Sequence, residues 1–489
     1  MYPWERFLVL KKRTEFDDRY QRFRREIRNQ IISSTLKPGD FLLSEVNLSK
    51  LYNLSRDSVR KVLAELEQSG LIEKIPGKGN IVRESEQWKE ETVLRLVCFD
   101  DSYEIPTLLQ LISEFEQENP RVRIEFSTVS ENGYGEYLSD KLRDNEAHDM
   151  MVISDLHFRK FADEGLLDKL HASHPYEWAR EEDVYGEAVR LFQDGNQLKA
   201  VPFVFSPVVY VVNKNLVPEA DRLTIDDWSD LTDFAVAHTV KDEQGTVQHY
   251  GFGFTITNNR WPQFLLQNGG GIFDAEHRSI FGSGETVEAF RYCLDLMFNR
   301  EVSPASIYGG TRIVEDLFMK QKVAMIIGTY HYMNEFGNHF MEWDVVPVVP
   351  RNSKKATLLL GGALAINASS PHVTAAKRFA QFLVRYDSQK QFKMNGCTIP
   401  VLRKVAEDQT LFNPAIHPRN YHCFVDMLPY AHSIQSLGIG QRDLDQIQKE
   451  LVLMWMKMED PEDSVKRIEE QMFHHEGNGT DNNRGYLKV

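Results

Sequence analysis

Apolar residues recur at spacings of three and four from Tyr20 to Ser34, at Tyr20, Phe23, Ile27 and Ile31, which predicts a helix with one buried face. Arg22, Arg24, Arg25 and Arg28 fall mostly off that face. Lys37-Pro38-Gly39-Asp40 ends the element, because the proline fixes one φ angle and the glycine frees the next. Ser44 then offers a capping oxygen to a short helix through Leu48 and Leu51, and Tyr52-Asn53-Leu54 makes a tight connection. Ser55 caps a longer helix whose Val59, Val62, Leu63 and Leu66 share an arc of about 100°. Ser58, Arg60 and Lys61 occupy the opposite arc, with Arg56 in the first turn. Gly70 stops the helix, Leu71 to Ile75 alternates as a strand, Pro76-Gly77-Lys78-Gly79 turns, and Asn80 to Val82 returns.

Beyond this hairpin the rhythm changes. Glu84 to Thr92 is a charged stretch with one tryptophan, suited to a solvated linker. Strand-like and helix-like segments then alternate: strand Val93 to Phe99, helix Thr107 to Phe115, strand Val122 to Phe126, helix around Tyr137 to Leu142, strand Met150 to Ile153, helix Phe158 to Asp163. Such alternation predicts a mostly parallel sheet with helices on its faces, an α/β class. Leu444 to Met458 reads as helical, and the polar tail from Glu476 is expected to be disordered.

Composition sharpens the division. With 42% hydrophobic residues among 489, the chain has apolar surface enough for cores in two or three domains. Its net charge of −15 hides an asymmetry: Met1 to Arg83 holds 17 basic and 11 acidic residues, and the remainder carries −21. The longest apolar stretch, Ala200 to Val212, is 13 residues broken by two prolines and a serine. A membrane helix needs roughly 18 or more, so no membrane partner is expected. Phe7 to Leu10 is shorter than the roughly 7 to 15 apolar residues of a signal-peptide core, so export is not expected. Cys98, Cys293, Cys397 and Cys423 form no paired-thiol motif, which suits a reduced, cytoplasmic compartment without structural zinc.

Three groups in the basic head carry a resemblance. Leu42-Leu43-Ser44-Glu45, Leu54-Ser55-Arg56-Asp57-Ser58-Val59-Arg60 and Gly77-Lys78-Gly79 occur in the order and spacing of the GntR-type winged-helix signature, over about residues 15 to 83. The resemblance implies double-stranded operator DNA as partner, with Ser44, Glu45, Ser55, Arg56, Ser58, Arg60, Lys61, Gly77, Lys78 and Gly79 as the contact set. Phosphate contacts would supply most of the affinity and make it fall with salt, while Arg56 and Arg60 would read bases. The chain departs from the family pattern in lacking Pro before Ser44-Glu45, in having Val46 where Arg is common, and in having Ser58 where Thr is common.

The acidic body resembles, in pieces from about residue 93 to 400, the solute-binding proteins of bacterial ABC importers, the family of maltose-binding protein. The pieces are Phe115 to Pro120, Asp149 to Asp155 followed by Glu164-Gly165-Leu166-Leu167, Ala200 to Lys214, Thr224 to Trp228, Trp261-Pro262 with Gly269-Gly270, Phe318-Met319-Lys320 with Ala324-Met325 and Tyr330, and Gly361-Gly362 to Asn367. That fold has two lobes, and the chain is expected to cross between them near Ser206, return near Tyr330 and cross again near Gly396. By position in these motifs Ser102, Tyr103, Asp155, Ser206 and Asn258 fall where the family places ligand contacts. Trp261 and Tyr330 would stack on sugar rings, and Gly361 and Gly362 would allow close backbone approach. The branch that binds maltose commonly has Glu at the Ser206 position, so its absence weakens the case for that sugar.

The expected architecture is therefore an α/β chain with a winged helix-turn-helix at 15–83, a linker at 84–92, a two-lobed periplasmic-binding-protein-like domain at 93–475 and a tail at 476–489. No zinc-protease motif, nucleophile elbow or phosphate loop occurs in the sequence, and neither enzyme activity, metal nor cofactor is expected. An aminotransferase-like reading would rest on Ser353-Lys354, but these lie in a polar turn between strand-like Val345 to Val349 and Thr357 to Leu360. The expected function is a homodimeric regulator whose operator affinity is set by a mono- or oligosaccharide. The alternative is an importer receptor with an added basic segment.

Overall fold

A computed structural model describes residues 19–473 except 21, 25, 29, 32–34, 84–91, 221–222, 275, 306–311, 337–340 and 352–354. The expected linker except Thr92, the tail at 476–489 and Lys354 thus lie outside the described residues. Two compact units divide the chain, Met1–Arg95 with Leu108–Phe126, and Leu96–Thr107 with Ser127–Val489.

The head begins with α1, helical at every described position of 19–31. Helix α2 (Glu45–Tyr52) is capped by Ser44, whose hydroxyl accepts from Asn47 N, and ends on Asn53 in the left-handed region. Helix α3 (Arg56–Gln68) follows, capped by Ser55. Strands β1 (Ile72–Ile75) and β2 (Gly79–Val82) pair antiparallel, with Ile72 opposite Val82 and Ile75 opposite Gly79. Gly77 in the turn and Gly79 at the start of β2 hold φ of 76° and 117°, which glycine adopts without a Cβ penalty. Phe23, Ile27, Leu48, Val59, Val62, Leu63, Leu66, Ile72 and Val82 close into one buried core. Each fully buried side chain of this kind contributes about 1.5–3 kcal/mol, and it is the pattern of their spacing that fixes which helix faces turn inward.

The body starts with β3 (Thr92–Phe99), α4 (Ile105–Glu118), β4 (Val122–Val129), α5 (Tyr134–Arg143), β5 (Met150–Ser154) and α6 (Asp155–Asp163), each expected element present with ends extended. A small hairpin, β6 (Gln193–Asp194) and β7 (Gln197–Leu198), leads into β8 (Ala200–Pro207), β9 (Val209–Asn213), β10 (Val240–Lys241), β11 (Val247–Gly253), β12 (Val323–Gly328), β13 (Trp343–Val346), β14 (Thr357–Ile366), β15 (Ile399–Pro400) and β16 (Ala431–Ser433). One sheet has the order β15-β8-β14-β5-β3-β4, with β16 beside β14, and the other has β10-β11-β12-β9-β13. The sheets are mixed, not mostly parallel: β3 and β5 run parallel, but β14 enters antiparallel to both β5 and β8.

This topology fixes where the chain changes lobe. The first crossing falls at Val208, between β8 and β9, as expected near Ser206. The return does not lie near Tyr330. Both β12 and β13 belong to the second sheet, so the chain returns only between Val346 and Thr357. The last crossing is likewise not at Gly396, because β15 and β16 remain in the first sheet. It follows Ser433 and leads into helices Gln441–Glu450 and Val452–Trp455, which replace the single helix expected from Leu444 to Met458.

Helix α6 is held at its start by an unusual cap. The Ser154 hydroxyl accepts from His157 N, and His157 Nδ1 accepts from Ser154 N at 3.1 Å, so a neutral imidazole fills the place a Glu or Gln usually takes. Its ring lies against Tyr134 and Phe99, with centroids 5.2 and 6.1 Å away. Burial holds the imidazole down at about 4, below its ordinary 6.5. A lowered base contributes stability that is present above pH 6.5 and lost as pH falls toward 4, on the order of 3 kcal/mol in full. Urea denaturation between pH 7 and pH 5 is therefore expected to give a shallower loss of stability in His157→Gln than in the parent chain. Parallel losses would show that the ring does not titrate against folding.

Candidate functional site

In the head, the serines expected to touch DNA serve first as caps. The Ser55 hydroxyl accepts from Ser58 N at 3.1 Å and lies 2.8 Å from the Ser58 hydroxyl. Ser58 is only 8% exposed, so it does not share the outer arc of α3 as the sequence predicts. It sits four residues before Val62, at the rim of the buried arc, and is short enough to tuck in. Arg56 and Lys61 are exposed on α3, and Lys78 is exposed between Gly77 and Gly79 on the hairpin tip. Arg60 Nε is 2.8 Å from Glu45 Oε2, which joins α2 to α3. An exposed pair of this kind contributes under about 1 kcal/mol, little enough for a phosphate or base to replace it.

Between the two sheets of the body a second set of residues converges. The register of β14 against β8 shifts between Gly362 and Ala363, and the Gly361 N–H donates to Asp155 Oδ1 at 3.1 Å. A Cβ on Gly361 would fall 2.7 Å from Leu191 Cδ1, and one on Gly362 3.1 Å from Val204 Cγ2, so a side chain at either position would have to displace a packed neighbour. Tyr330 Oη lies 3.9 Å from that second Cβ position and donates to Glu104. Ser102 Oγ donates to Glu104 Oε2 at 2.7 Å, while Glu104 Oε1 is buried with no hydrogen-bond partner. Asp155, Ser102, Tyr330, Gly361 and Gly362 are thus brought together. Glu104, which sequence reasoning missed, stands among them. Burial pushes its carboxyl above the ordinary value, against the bond from Ser102.

Three expected ligand residues are placed otherwise. Ser206 is fully buried in β8 opposite Leu360, and its hydroxyl donates to the Pro207 carbonyl at 2.9 Å. Trp261 is 0% exposed, packs on Phe290 with centroids 5.7 Å apart, and donates from Nε1 to Gln448 Oε1 at 2.8 Å, so its ring offers no face for stacking. Asn258 Nδ2 donates to Asp445 Oδ1 at 2.7 Å. Helix Gln441–Glu450 claims both residues. On the same face, one turn before Asp445, Gln441 donates to Asp445 Oδ1 at 2.7 Å and its Oε1 accepts from Arg159 Nε at 3.0 Å, and Arg159 pairs with Asp155. Partners 187 residues away in sequence leave no trace in the local pattern around Asn258 and Trp261.

The lobes are also tied at the lip. Arg312, before helix Ile313–Met319 of the second lobe, donates from NH1 to Asp101 Oδ2 at 2.9 Å and from NH2 to both oxygens of Glu335 at 2.6 Å. Tyr103 of the first lobe donates to the same Glu335 carboxylate, and Arg312 lies 5.0 Å from the Tyr332 ring centroid. Tyr103 is thus engaged with the opposite lobe. Burial, then its bond to Glu335, raises the phenol. Among the described residues no cluster of three His, Cys, Asp or Glu is placed to hold a metal, and no helix is long and apolar enough to cross a membrane.

Two outcomes are expected. A carboxyl whose value is raised by folding costs stability once pH exceeds the ordinary 4.5. Glu104→Gln should therefore raise the melting temperature at pH 8 by more than at pH 5, and an equal shift at both would remove the buried charge from the account. Arg312→Ala should shift the lobes toward separation by about 1–2 kcal/mol, roughly 5- to 30-fold, read as a larger radius of gyration in solution scattering. An unchanged scattering curve would mean that the lip bonds do not hold the lobes.

The family model for bacterial extracellular solute-binding proteins matches residues 101–390, and that for bacterial regulatory proteins of the gntR family matches residues 19–82. YcjN of Escherichia coli (strain K12) is 23% identical over 314 residues, 62% of this chain and 71% of YcjN. The arabinose metabolism transcriptional repressor of Geobacillus stearothermophilus is 28% identical over 141 residues, 27% of this chain, and the match spans only 35% of that repressor. The solved ABC substrate-binding protein Lmo0181 from Listeria monocytogenes, in complex with cycloalternan, superposes with a TM-score of 0.67 at 22% identity, covering 78% of this chain and 98% of Lmo0181. That likeness establishes the two-lobed fold. Over more than half its length the chain belongs to the bacterial extracellular solute-binding protein family, and it carries a gntR-family domain ahead of that stretch.

Proposed function

We propose that the chain is a transcription regulator in which a saccharide bound between the lobes sets the affinity of the winged helix for operator DNA. The carrying observation is that one chain joins a gntR-family domain to a two-lobed body whose lobes are bridged by Arg312, Asp101, Tyr103 and Glu335. A solute that changes lobe separation must make or break those bonds, and so has a differential free energy to spend on a second site. In this reading residues 15–83 hold the duplex and 93–475 hold the solute, in a cytoplasmic homodimer. Arg56 and Arg60 read bases, Lys61 and Lys78 meet phosphates, and Asp155, Glu104, Tyr330 and the Gly361-Gly362 backbone meet the hydroxyls and ring of a mono- or oligosaccharide. The net charge of −21 outside the head keeps the rest of the chain off the phosphates and leaves affinity to the head. The matched families are regulatory and solute-binding, which supports this reading over an enzyme.

The likeness to extracellular solute-binding proteins such as YcjN favours one second reading, a receptor that serves an importer. The two are separated by DNA. Duplexes selected by the full chain from a random-sequence pool should lose about 10-fold or more in affinity with Arg56→Ala and Arg60→Ala together. A saccharide that raises the melting temperature should then change that affinity by roughly 5- to 150-fold, an effect that Tyr330→Ala removes. Failure to enrich any sequence, or an affinity indifferent to the stabilising saccharide, would leave the receptor reading in place. Sedimentation of the DNA-bound form is expected to give two chains per duplex.

A further inference from the structure

Glu104 stands directly before α4, where a carboxylate usually profits from the unpaired N–H groups of the first turn. Pro106 in that turn has no N–H to offer, and the Glu104 side chain bonds instead to the opposite lobe. Its partner there is the Tyr330 phenol, carried on helix Tyr330–Phe336 after β12, while Ser102 Oγ holds Oε2 at 2.7 Å from its own lobe. The other oxygen, Oε1, is buried without a hydrogen-bond partner, and the residue as a whole is 7% exposed. A buried carboxylate is ordinarily paired with a cation, but the side chains that bond to this one are a hydroxyl and a phenol.

The cations that serve the neighbouring carboxylates are already engaged. Asp155 acts on the same Tyr330 phenol as Glu104 does, and its charge is committed to Arg159. At the lip Arg312 is shared among Asp101, Glu335 and Glu131. Glu104 and Asp155 against Arg159 leave one negative charge over, and the three lip carboxylates against Arg312 leave two. Both excesses have the same sign, and a cleft lined by one sign of charge concentrates guests of the other.

We propose that the guest held between the lobes is an amino sugar, whose protonated amine takes the place of the Tyr330 phenol on Glu104. This rests on the saccharide reading given above and narrows it. When the lobes part, Tyr330 leaves with the second lobe, and of its two side-chain partners Glu104 keeps only Ser102. A sugar hydroxyl would restore the bond that was lost and no more. An ammonium restores it as a charge-assisted bond, roughly twice as strong as a neutral one, and also matches the buried charge. The displaced phenol then meets the sugar ring, and the excess of carboxylates at the lip draws the cation in.

Calorimetry on the full chain at about pH 7, where such an amine is largely protonated, tests this with matched pairs. Glucosamine, galactosamine, mannosamine and the β-1,4-linked disaccharide of glucosamine are set against glucose, galactose, mannose and cellobiose. N-acetylglucosamine, which keeps the nitrogen and loses the charge, serves as a further control. At least one amine is expected to bind saturably, one per chain, about 10-fold or more tighter than its neutral counterpart. Glu104→Gln, which keeps the shape and removes the charge, should bring that pair within about 2-fold of each other. A merely structural role for Glu104 would weaken both members alike and leave their ratio unchanged. A ratio that survives Glu104→Gln overturns the proposal, as does a neutral sugar that binds the parent chain as tightly as its amine, and in both cases the saccharide reading stands. Absence of saturable binding by every amine up to about 10 mM also overturns it, and the saccharide reading is then decided by the melting-temperature and DNA measurements alone.

Discussion

Asp155 accepts the Gly361 N–H and pairs with Arg159 while both side chains are almost wholly buried, and most of what surrounds the site is arranged by that pair. A buried ion pair gains little over an apolar packing, but removing one partner strands a charge and costs about 3–5 kcal/mol. The pair therefore constrains more than it stabilises. Asp155 can sit there only because α6 begins on it, which the Ser154–His157 cap enforces. Gly361 presents its N–H to Asp155 where β5 has ended, since the pairing of β14 with β5 stops at Gly362 opposite Ser154. Arg159 has donors left over, and spends one on Gln441 of a helix contributed by the far end of the chain.

The same logic separates the inner from the outer bonds of the body. Near Asp155 the groups are buried and mutually committed, so a solute entering there must replace protein bonds with its own. At the lip, Arg312 and Asp101 are partly exposed, and water can compete for each bond as the lobes part. A strongly held interior and an exchangeable rim let lobe separation vary without loss of the fold. Gly361 and Gly362 have no side chain to contribute, and the Leu191 and Val204 side chains pack into the space that a Cβ would take.

Much of this was legible in the sequence because it is local. The caps Ser44 and Ser55, the arc of Val59, Val62, Leu63 and Leu66, the positive φ of Gly77 and the alternating strands β3 and β5 each follow from a few neighbouring residues. Ser58 was misplaced because an arc has an edge, and a small polar residue there can turn either way. Glu104 was passed over because a charge just before an amphipathic helix ordinarily faces water. The direction of β14, and hence the mixed sheet, was illegible because ten buried residues in a row look alike from either end. Trp261 reads as a stacking surface because a flat aromatic ring suits the C–H face of a sugar, whereas its indole N–H is taken by Gln448, from a segment without motifs.

That late segment has an implication for how the molecule is handled. Residues after 390 fall outside the matched family stretch, yet Gln441, Asp445 and Gln448 close polar gaps on both lobes, and Trp455 lies edge-on to Phe290 at 5.5 Å. A fragment trimmed to the family limits would bare an indole, a guanidinium and an apolar wall at once. It would be sticky and loose rather than minimal. Proteases, purification tags and frameshifts acting at the carboxyl end would consequently be felt at the heart of the body, far from where they strike.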